Sequence, residues 1–243
     1  MDKIYWSGHQ CFGDCFCLCA AAHIKSLIDN SKIYVTFWEP FKDLASYFDN
    51  IEWIDPVEAK SNYKVVDTGK GPFNTENFPK KDGFYLNNGV SRFFKLMDMP
   101  NAYPVDIYMN IKRDEHPKYV SIVVKGGVNG FISKNTLETM ILRTKSFYEN
   151  PQFIFIGHFN NDISKYQDLQ KKYNILDLRT DDRTGSVVMK QIQSSLIVMG
   201  PHTGLMYPAL GLGCQVWCEN SINLDHNFSL DFPSNRALFF PKT

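Results

Sequence analysis

Residues 195–217 read SLIVMGPHTGLMYPALGLGCQVW: an apolar run (Ser195–Met199), a polar turn (Gly200–Gly204), a longer apolar stretch (Leu205–Leu212) and a second apolar run (Cys214–Trp217). Short apolar runs bounded by turn residues suit strands buried on both faces, and the longer stretch between them suits a crossover helix. The same beat is found upstream. Strands are expected at Tyr119–Val124 (YVSIVV), Phe153–Gly157 (FIFIG) and Ile175–Leu178, with helices at Asn135–Tyr148, Ile163–Tyr173 and Val187–Gln193. Near the start the order repeats, with strands Lys3–Ser7, Lys32–Phe37 and Ile51–Ile54 and helices Asp14–Asp29 and Phe41–Phe48. Alternation of this kind implies α/β architecture, with parallel sheets covered on both faces. Two such sets predict two doubly wound, Rossmann-like halves in a compact chain, 1–112 and 113–243, the second with a terminal tail. From Tyr63 to about Asn110, Gly and Pro punctuate short apolar pieces, which predicts long connections and an edge strand or two. The charged stretch Lys112–Lys118, which contains Pro117, is the expected linker.

Composition narrows what such a chain can do. Its 243 residues hold 26 Lys and Arg against 26 Asp and Glu, a net charge of zero. Counterion release on DNA or anionic lipid needs a cationic surplus, so nucleic acid is not the expected partner. The longest apolar stretch, Cys15–Ala22, is too short for a transmembrane segment, and no charged start leads into an apolar secretory region. The expectation is a soluble, cytoplasmic protein. Cys11, Cys15, Cys17 and Cys19, four of six cysteines, crowd into one segment, as suits reduced thiols.

In doubly wound sheets ligands sit outside the carboxyl ends of the strands, so chemistry is sought in the loops that follow them. The first such loop is Gly8–Asp14 (GHQCFGD). Its glycines allow a tight turn and place Asp14 at or near a helix start, where the dipole favours a carboxylate and where Asp14 can equally serve only as the N-cap. Gly8 and Gly13 do not make a dinucleotide fingerprint. The second loop is Gly200-Pro201-His202-Thr203-Gly204. Thr203 can cap the next helix, and Gly204 removes a side chain, so N–H groups there can point at an anion such as a diphosphate. Pro208 makes a regular helix start late or bend. His202 is either a phosphate contact or a plain loop histidine.

Taken together, these segments resemble the heptosyltransferase family of glycosyltransferases. The stretch Phe153–Trp217, with FIFIG, ILDLRT, GSVVMKQIQ and SLIVMGPHTGLMYPALGLG in that order, is similar to the C-terminal half of the family. Ser7–Asp14 is similar to its first loop, and Ser133-Lys134-Asn135 looks like its basic motif in the second domain. The resemblance implies the two-domain glycosyltransferase-B fold, with an acceptor-side domain over 1–112 and a nucleotide-sugar-binding domain over 113–243. It implies transfer of a sugar from a nucleotide-sugar donor to a hydroxyl-bearing acceptor (glycan, lipid or other). Asp14, after Gly13, is then the general base, and Lys134 faces the donor phosphates. Two positions depart from the family pattern: His202 stands where the family has Asp before Thr/Ser-Gly, and Tyr207 where it has His. The first change resembles glycosyltransferases of the same fold that place His-x-Gly beside the donor diphosphate, so the donor need not be a heptose nucleotide.

The chemistry is consistent with this. An inverting transfer needs one carboxylate to take the acceptor proton and cationic or N–H donors at the departing diphosphate. Asp14 can supply the first; Lys134, His202, Thr203 and Gly204 can supply the second; His158, at a strand end, can hold a base or ribose. No two aspartates form an Asp-x-Asp pair, so metal-independent transfer is expected and no cofactor is called for.

Other features are weighed beside this. Cys11, Cys15 and Cys19 at fourfold spacing, with His9 and His23 nearby, bring zinc-ligand types to one helical face, but a buried apolar helix explains them without a metal. Asp181-Asp182-Arg183 reads as a capping cluster, with Arg179 and Arg183 as further phosphate contacts. A pyruvyl transferase, a nucleotide-sugar epimerase and a non-catalytic nucleotide- or glycan-binding module remain as alternatives.

Overall fold

The structure, a computed structural model, describes residues 2–7, 11–68, 80–81, 84–85, 90, 93–94, 97–99, 107, 109–126, 130–182, 184–220 and 237–241. The chain divides into two compact units, Met1–Ile111 with Thr184–Ser186 and Asp225–Asn235, and Lys112–Arg183 with Val187–Leu224 and Arg236–Thr243. Among the described residues no helix is long and apolar enough to cross a membrane.

The first unit holds β1 (Lys3–Trp6), α1 (Phe12–Asp29), β2 (Ile33–Thr36), β3 (Ile51–Trp53), α2 (Pro56–Asn62) and β4 (Lys64–Asp67). Its strands lie in the order β3-β2-β1-β4, all parallel. α1 is buried from Cys15 to His23, which is why Cys15, Cys17 and Cys19 sit in the core, and it stops at Asn30 in the left-handed conformation (φ 48°). Burial pushes the Cys15 and Cys19 thiols up in pKa. Helix α2 starts where Asp55 accepts the Val57 N–H at 2.8 Å and Pro56 opens the first turn. The strand pair β5 (Lys80–Lys81) and β6 (Phe84–Tyr85) is antiparallel.

The second unit holds β7 (Tyr119–Val123), the antiparallel pair β8 (Lys125–Gly126) and β9 (Gly130–Phe131), α3 (Lys134–Phe147), β10 (Gln152–Ile156), α4 (Gln167–Tyr173) and β11 (Leu176–Asp177). After these come α5 (Gly185–Gln193), whose first two residues belong to the first unit, then β12 (Ser195–Pro201), α6 (Met206–Gly211), β13 (Gln215–Asn220) and β14 (Ala237–Pro241). The six-stranded sheet runs β11-β10-β7-β12-β13-β14, parallel throughout. Counted along the chain that is the doubly wound order 3-2-1-4-5-6, reversing direction between β7 and β12. Its core joins Val120, Ile122, Phe153, Phe155, Ile197, Met199 and Trp217 from the strands to Leu137, Met140 and Ile141 from α3.

Several expectations change. The segment read as a helix over Phe41–Phe48 is a 3-10 helix over Glu39–Tyr47; Phe41, Leu44 and Tyr47 recur every third residue, a spacing that serves this tighter winding as well as an α-helix. The helix read from Ile163 opens with a 3-10 turn (Ser164–Tyr166) before α4, and α5 begins two residues early, at Gly185. Its first N–H groups, on Gly185 and Ser186, are taken by the carboxyl of Asp43 rather than by the Asp181-Asp182 pair. The terminal tail contains β14, an edge strand, and β4 is the edge strand expected after Tyr63. The division between the units falls at Ile111 and Lys112, at the start of the expected linker, and the stretch after it is tied into the second unit: Arg113 donates to Gly213 O at 3.0 Å, Asp114 N to Gln193 O at 3.1 Å and Lys118 N to Ser194 O at 3.0 Å.

Arg179, read as a phosphate contact, is spent on the chain itself. Its Nε and Nη2 each bond the Asp177 carboxyl at 2.7 Å, and Nη1 donates to the carbonyls of Phe159 and Asn161. The Arg179 side chain is 6% exposed and that of Asp177 28%. Removing the guanidinium leaves these acceptors unpaired, so Arg179→Ala is expected to cost about 2 kcal/mol, less than a fully buried pair because Asp177 meets water. The Arg179 hydrogen bonds hold the Asp177 carboxyl below its usual range, against the upward push of burial. A depressed folded pKa stabilises above the unfolded value, about 3.9, and that stability fades as pH falls through the folded value. Urea melts from pH 6 to pH 2 should show the wild-type advantage over Arg179→Ala shrinking only below about pH 4. Arg183 lies outside the described residues.

Candidate functional site

Each sheet reverses direction beside its first strand, and a loop singled out in the sequence follows that strand or its neighbour. In the first unit the reversal lies between β1 and β4, and the chain leaves β1 toward α1 and Asp14. In the second it lies between β7 and β12, and β12 runs directly into His202-Thr203-Gly204. These are the positions where open α/β sheets bind ligands.

Asp14 is not the N-cap. Helix α1 begins at Phe12, its cap residue is Cys11 in extended conformation, and Asp14 is the third residue of the first turn, after buried Gly13. The Cys11 thiol donates to Asp14 Oδ2. The half-buried carboxyl therefore lies in the electropositive first turn of an 18-residue helix. Around this turn Phe12 stacks on Phe16 at 6.4 Å and meets Phe41 edge-on at 5.7 Å, and Trp38 meets Phe41 at 5.3 Å. Gly8, His9 and Gln10 lie outside the described residues, and His9 of the cysteine-histidine set with them. His23, from the same set, directs Nδ1 at the Asp49 carbonyl, 3.0 Å away. Among the described residues no three His, Cys, Asp or Glu side chains are grouped to hold a metal ion.

In the second unit two glycines let backbones meet. A Cβ on Gly200 would stand 2.2 Å from Val123 O, and one on Gly126 would stand 2.5 Å from His202 O. The end of β8 and the His202 loop are thereby held side by side at the reversal point. Thr203 is not the cap of the next helix: Leu205 holds that position without a side-chain bond, and Thr203 enters through its carbonyl, which accepts Met206 N–H at 3.0 Å. Helix α6 has only six residues, Met206–Gly211, with Pro208 in its first turn, and a helix so short gathers little dipole at the Gly204 end.

Lys134 is the first residue of α3, whose cap Ser133 accepts the Thr136 N–H at 3.1 Å. Its ammonium pairs with Asp168 from α4, and the two side chains are 45% and 59% exposed. The Lys134 hydrogen bond holds the Asp168 carboxyl below its usual range. His158 sits past the end of β10 in a parallel bridge with Thr180, and its Nδ1 accepts the Asn160 N–H at 3.1 Å. The structure thus brings Gly126, His202, Thr203 and Gly204 to one strand end, and places Lys134 at α3 and His158 at β10.

One residue escaped the sequence reading. Glu219 is 3% exposed, lies opposite Pro201 at the end of β13, and accepts the Ser133 N–H at 2.9 Å. Burial, and then the nearby Glu219, push the Tyr166 hydroxyl up, and the same two causes push the Cys218 thiol up to about 12. A lone acid in the run QVWCEN was the available signal, since carboxyl groups are seldom buried without a purpose.

No family model matches the chain, and no curated protein does. Solved structures do. The chain is similar to the heptosyltransferase WaaC of E. coli with ADP-2-deoxy-2-fluoro heptose (11% identity, 98% of this chain, 92% of that one, TM-score 0.63). It is also similar to the E. coli ADP-heptose LPS heptosyltransferase II (9% identity, 99% and 90%, TM-score 0.67). A third likeness is to the iron-containing dodecameric glycosyltransferase TibC of enterotoxigenic E. coli (14% identity, TM-score 0.66), of which the chain matches 98% of its own length but spans only 62% of TibC. At these identities the likeness is one of architecture, and the chain has the fold of the heptosyltransferase-like glycosyltransferases.

Proposed function

We propose that the chain is an inverting, metal-independent glycosyltransferase of the two-domain glycosyltransferase-B type, with Asp14 as the general base for a hydroxyl acceptor and the second unit as the nucleotide-sugar site. What carries this reading is that the Asp14 loop and the His202 loop both lie at the points where their parallel sheets reverse, in a fold shared with heptosyltransferases. Asp14 takes the acceptor proton as the sugar–phosphate bond breaks. Lys134, His202 and the N–H groups of the Thr203-Gly204 turn stabilise the departing diphosphate, and His158 flanks the nucleoside. Lys134 must turn from Asp168 to meet the phosphates, so Asp168 sets the affinity as a competitor.

Calorimetry with ADP, the nucleotide seen with WaaC, and with a panel of other nucleoside diphosphates and nucleotide sugars tests the donor site. Lys134→Ala is expected to weaken binding by about 1.5 to 3 kcal/mol, the range for a hydrogen bond to a charged group. His202→Ala should weaken it also, and Asp168→Asn should strengthen it by releasing the ammonium. Donor binding untouched by Lys134→Ala and His202→Ala would sink the site assignment. Isomerisation of the nucleotide sugar without acceptor, turnover of phosphoenolpyruvate, or binding with no turnover would each replace the transferase reading. A chelator should leave transfer unchanged.

A further inference from the structure

We propose that Glu219 is a positioning residue for donor binding: by holding the Ser133 N–H it fixes the turn from which Lys134 projects. The inference rests on the donor site proposed above. Glu219 Oε1 accepts the Ser133 N–H at 2.9 Å, and among the described residues this is its one hydrogen bond. The Ser133 hydroxyl in turn bonds Thr136 Oγ1 at 2.6 Å and accepts the Thr136 N–H at 3.1 Å. One residue earlier, the Ile132 carbonyl accepts the Tyr166 hydroxyl at 2.6 Å. Residues 132–136 are therefore pinned on both sides of the peptide that leads into Lys134.

A carboxyl group taken this far out of water by a strand whose neighbours are Trp217 and Cys218 is costly, and an aliphatic side chain would fill the place more cheaply. Its retention fits a task of geometry. Glu219 also lies opposite Pro201, the residue before His202, so one side chain ties the start of α3 to the strand that flanks the donor loop. Of the residues placed at the donor site, Lys134 alone is held through this contact; His202 directly follows β12, whose pairing with β7 does not need Glu219.

The test uses the full chain. Amide hydrogen exchange over residues 130–137 reads the clamp without any ligand, and calorimetry with ADP reads its effect on binding. Glu219→Met, similar in length but unable to accept, should speed exchange at Ser133 by about tenfold or more and weaken ADP binding by about tenfold. Glu219→Gln keeps an acceptor oxygen and should restore both. The double variant Glu219→Met, Lys134→Ala should bind ADP within about twofold of the weaker single variant, because both changes remove one interaction. Unchanged exchange in Glu219→Met, or losses that multiply in the double variant, would overturn the proposal. Faster exchange with ADP binding indifferent to Lys134→Ala would confirm the clamp and overturn the donor site instead. If Glu219→Met does not fold, Glu219→Gln decides: a loss of ADP affinity as large as that of Lys134→Ala overturns the proposal, and retained affinity supports it.

Discussion

Asp14→Asn should lower the turnover of a confirmed donor and acceptor pair by about 10²- to 10⁴-fold, the usual worth of a positioned general base. Donor affinity should stay nearly intact, because the donor contacts proposed for Lys134 and His202 are all in the second unit. Stability should change little. Asp14 is half-buried, and its charge in the first turn of α1 is worth about 0.3 to 1 kcal/mol against the helix dipole. Asparagine is the same size, and its amide oxygen can still accept from the Cys11 thiol. Steady-state rates beside a thermal melt of the same preparation separate the two effects. A variant with full activity ends the role of Asp14 as base; a variant that fails to fold would mean that the first turn depends on the charge far more than the dipole accounts for.

Gly200→Ala should be among the most damaging single-methyl changes in the chain. The new Cβ would meet Val123 O at 2.2 Å, Val123 C at 3.1 Å and Val123 Cβ at 3.2 Å, in a backbone with φ +155°. Val123 cannot yield, since its strand β7 is paired with β10 on one side and β12 on the other. The two strands must part at the reversal point, and overpacking of that kind costs about 3 kcal/mol or more. Gly130→Ala is the control. Gly130 has φ +66° but nothing within 4 Å of the added carbon, so only the left-handed conformation is penalised, at about 1 to 2 kcal/mol. Chemical denaturation of both variants tests the ranking, and equal midpoints would show that the backbone contact at Gly200 is not the limiting one. Gly200→Ala should also lower donor affinity, because the His202 loop begins two residues on.

Strands buried on both faces were the most legible parts of the chain. The runs at Tyr119–Val123, Gln152–Ile156 and Ser195–Met199 have no solvent face, so predominantly apolar runs without polar alternation mark them in the sequence. Helix α2 was missed because seven residues burying Ala59 alone carry no period, although Asp55-Pro56 was a readable start. β14 was passed over because ALFFP, at a sheet edge and ending in Pro, looks no different from an apolar coil. At the site, the loops were found from strand-end position and residue type. What those residues touch was not: the Lys134–Asp168 pair and the Glu219 clamp, the latter joining residues 86 positions apart, are meetings that no local pattern encodes.

The placing of β14 at the far edge of the second sheet has a consequence during synthesis. Among the described residues the first sheet needs no strand beyond Asp67, whereas the second cannot be completed until Ala237–Pro241 has left the ribosome, about 10 to 35 s later at ordinary elongation rates. Once β13 has emerged it is an open edge until β14 follows, about 1 to 4 s later, and Trp217 meanwhile lacks the Phe240 ring that lies 5.5 Å from it in the finished fold. The nascent chain is therefore most exposed to strand pairing with other chains late, with one sheet already formed and the other one strand short.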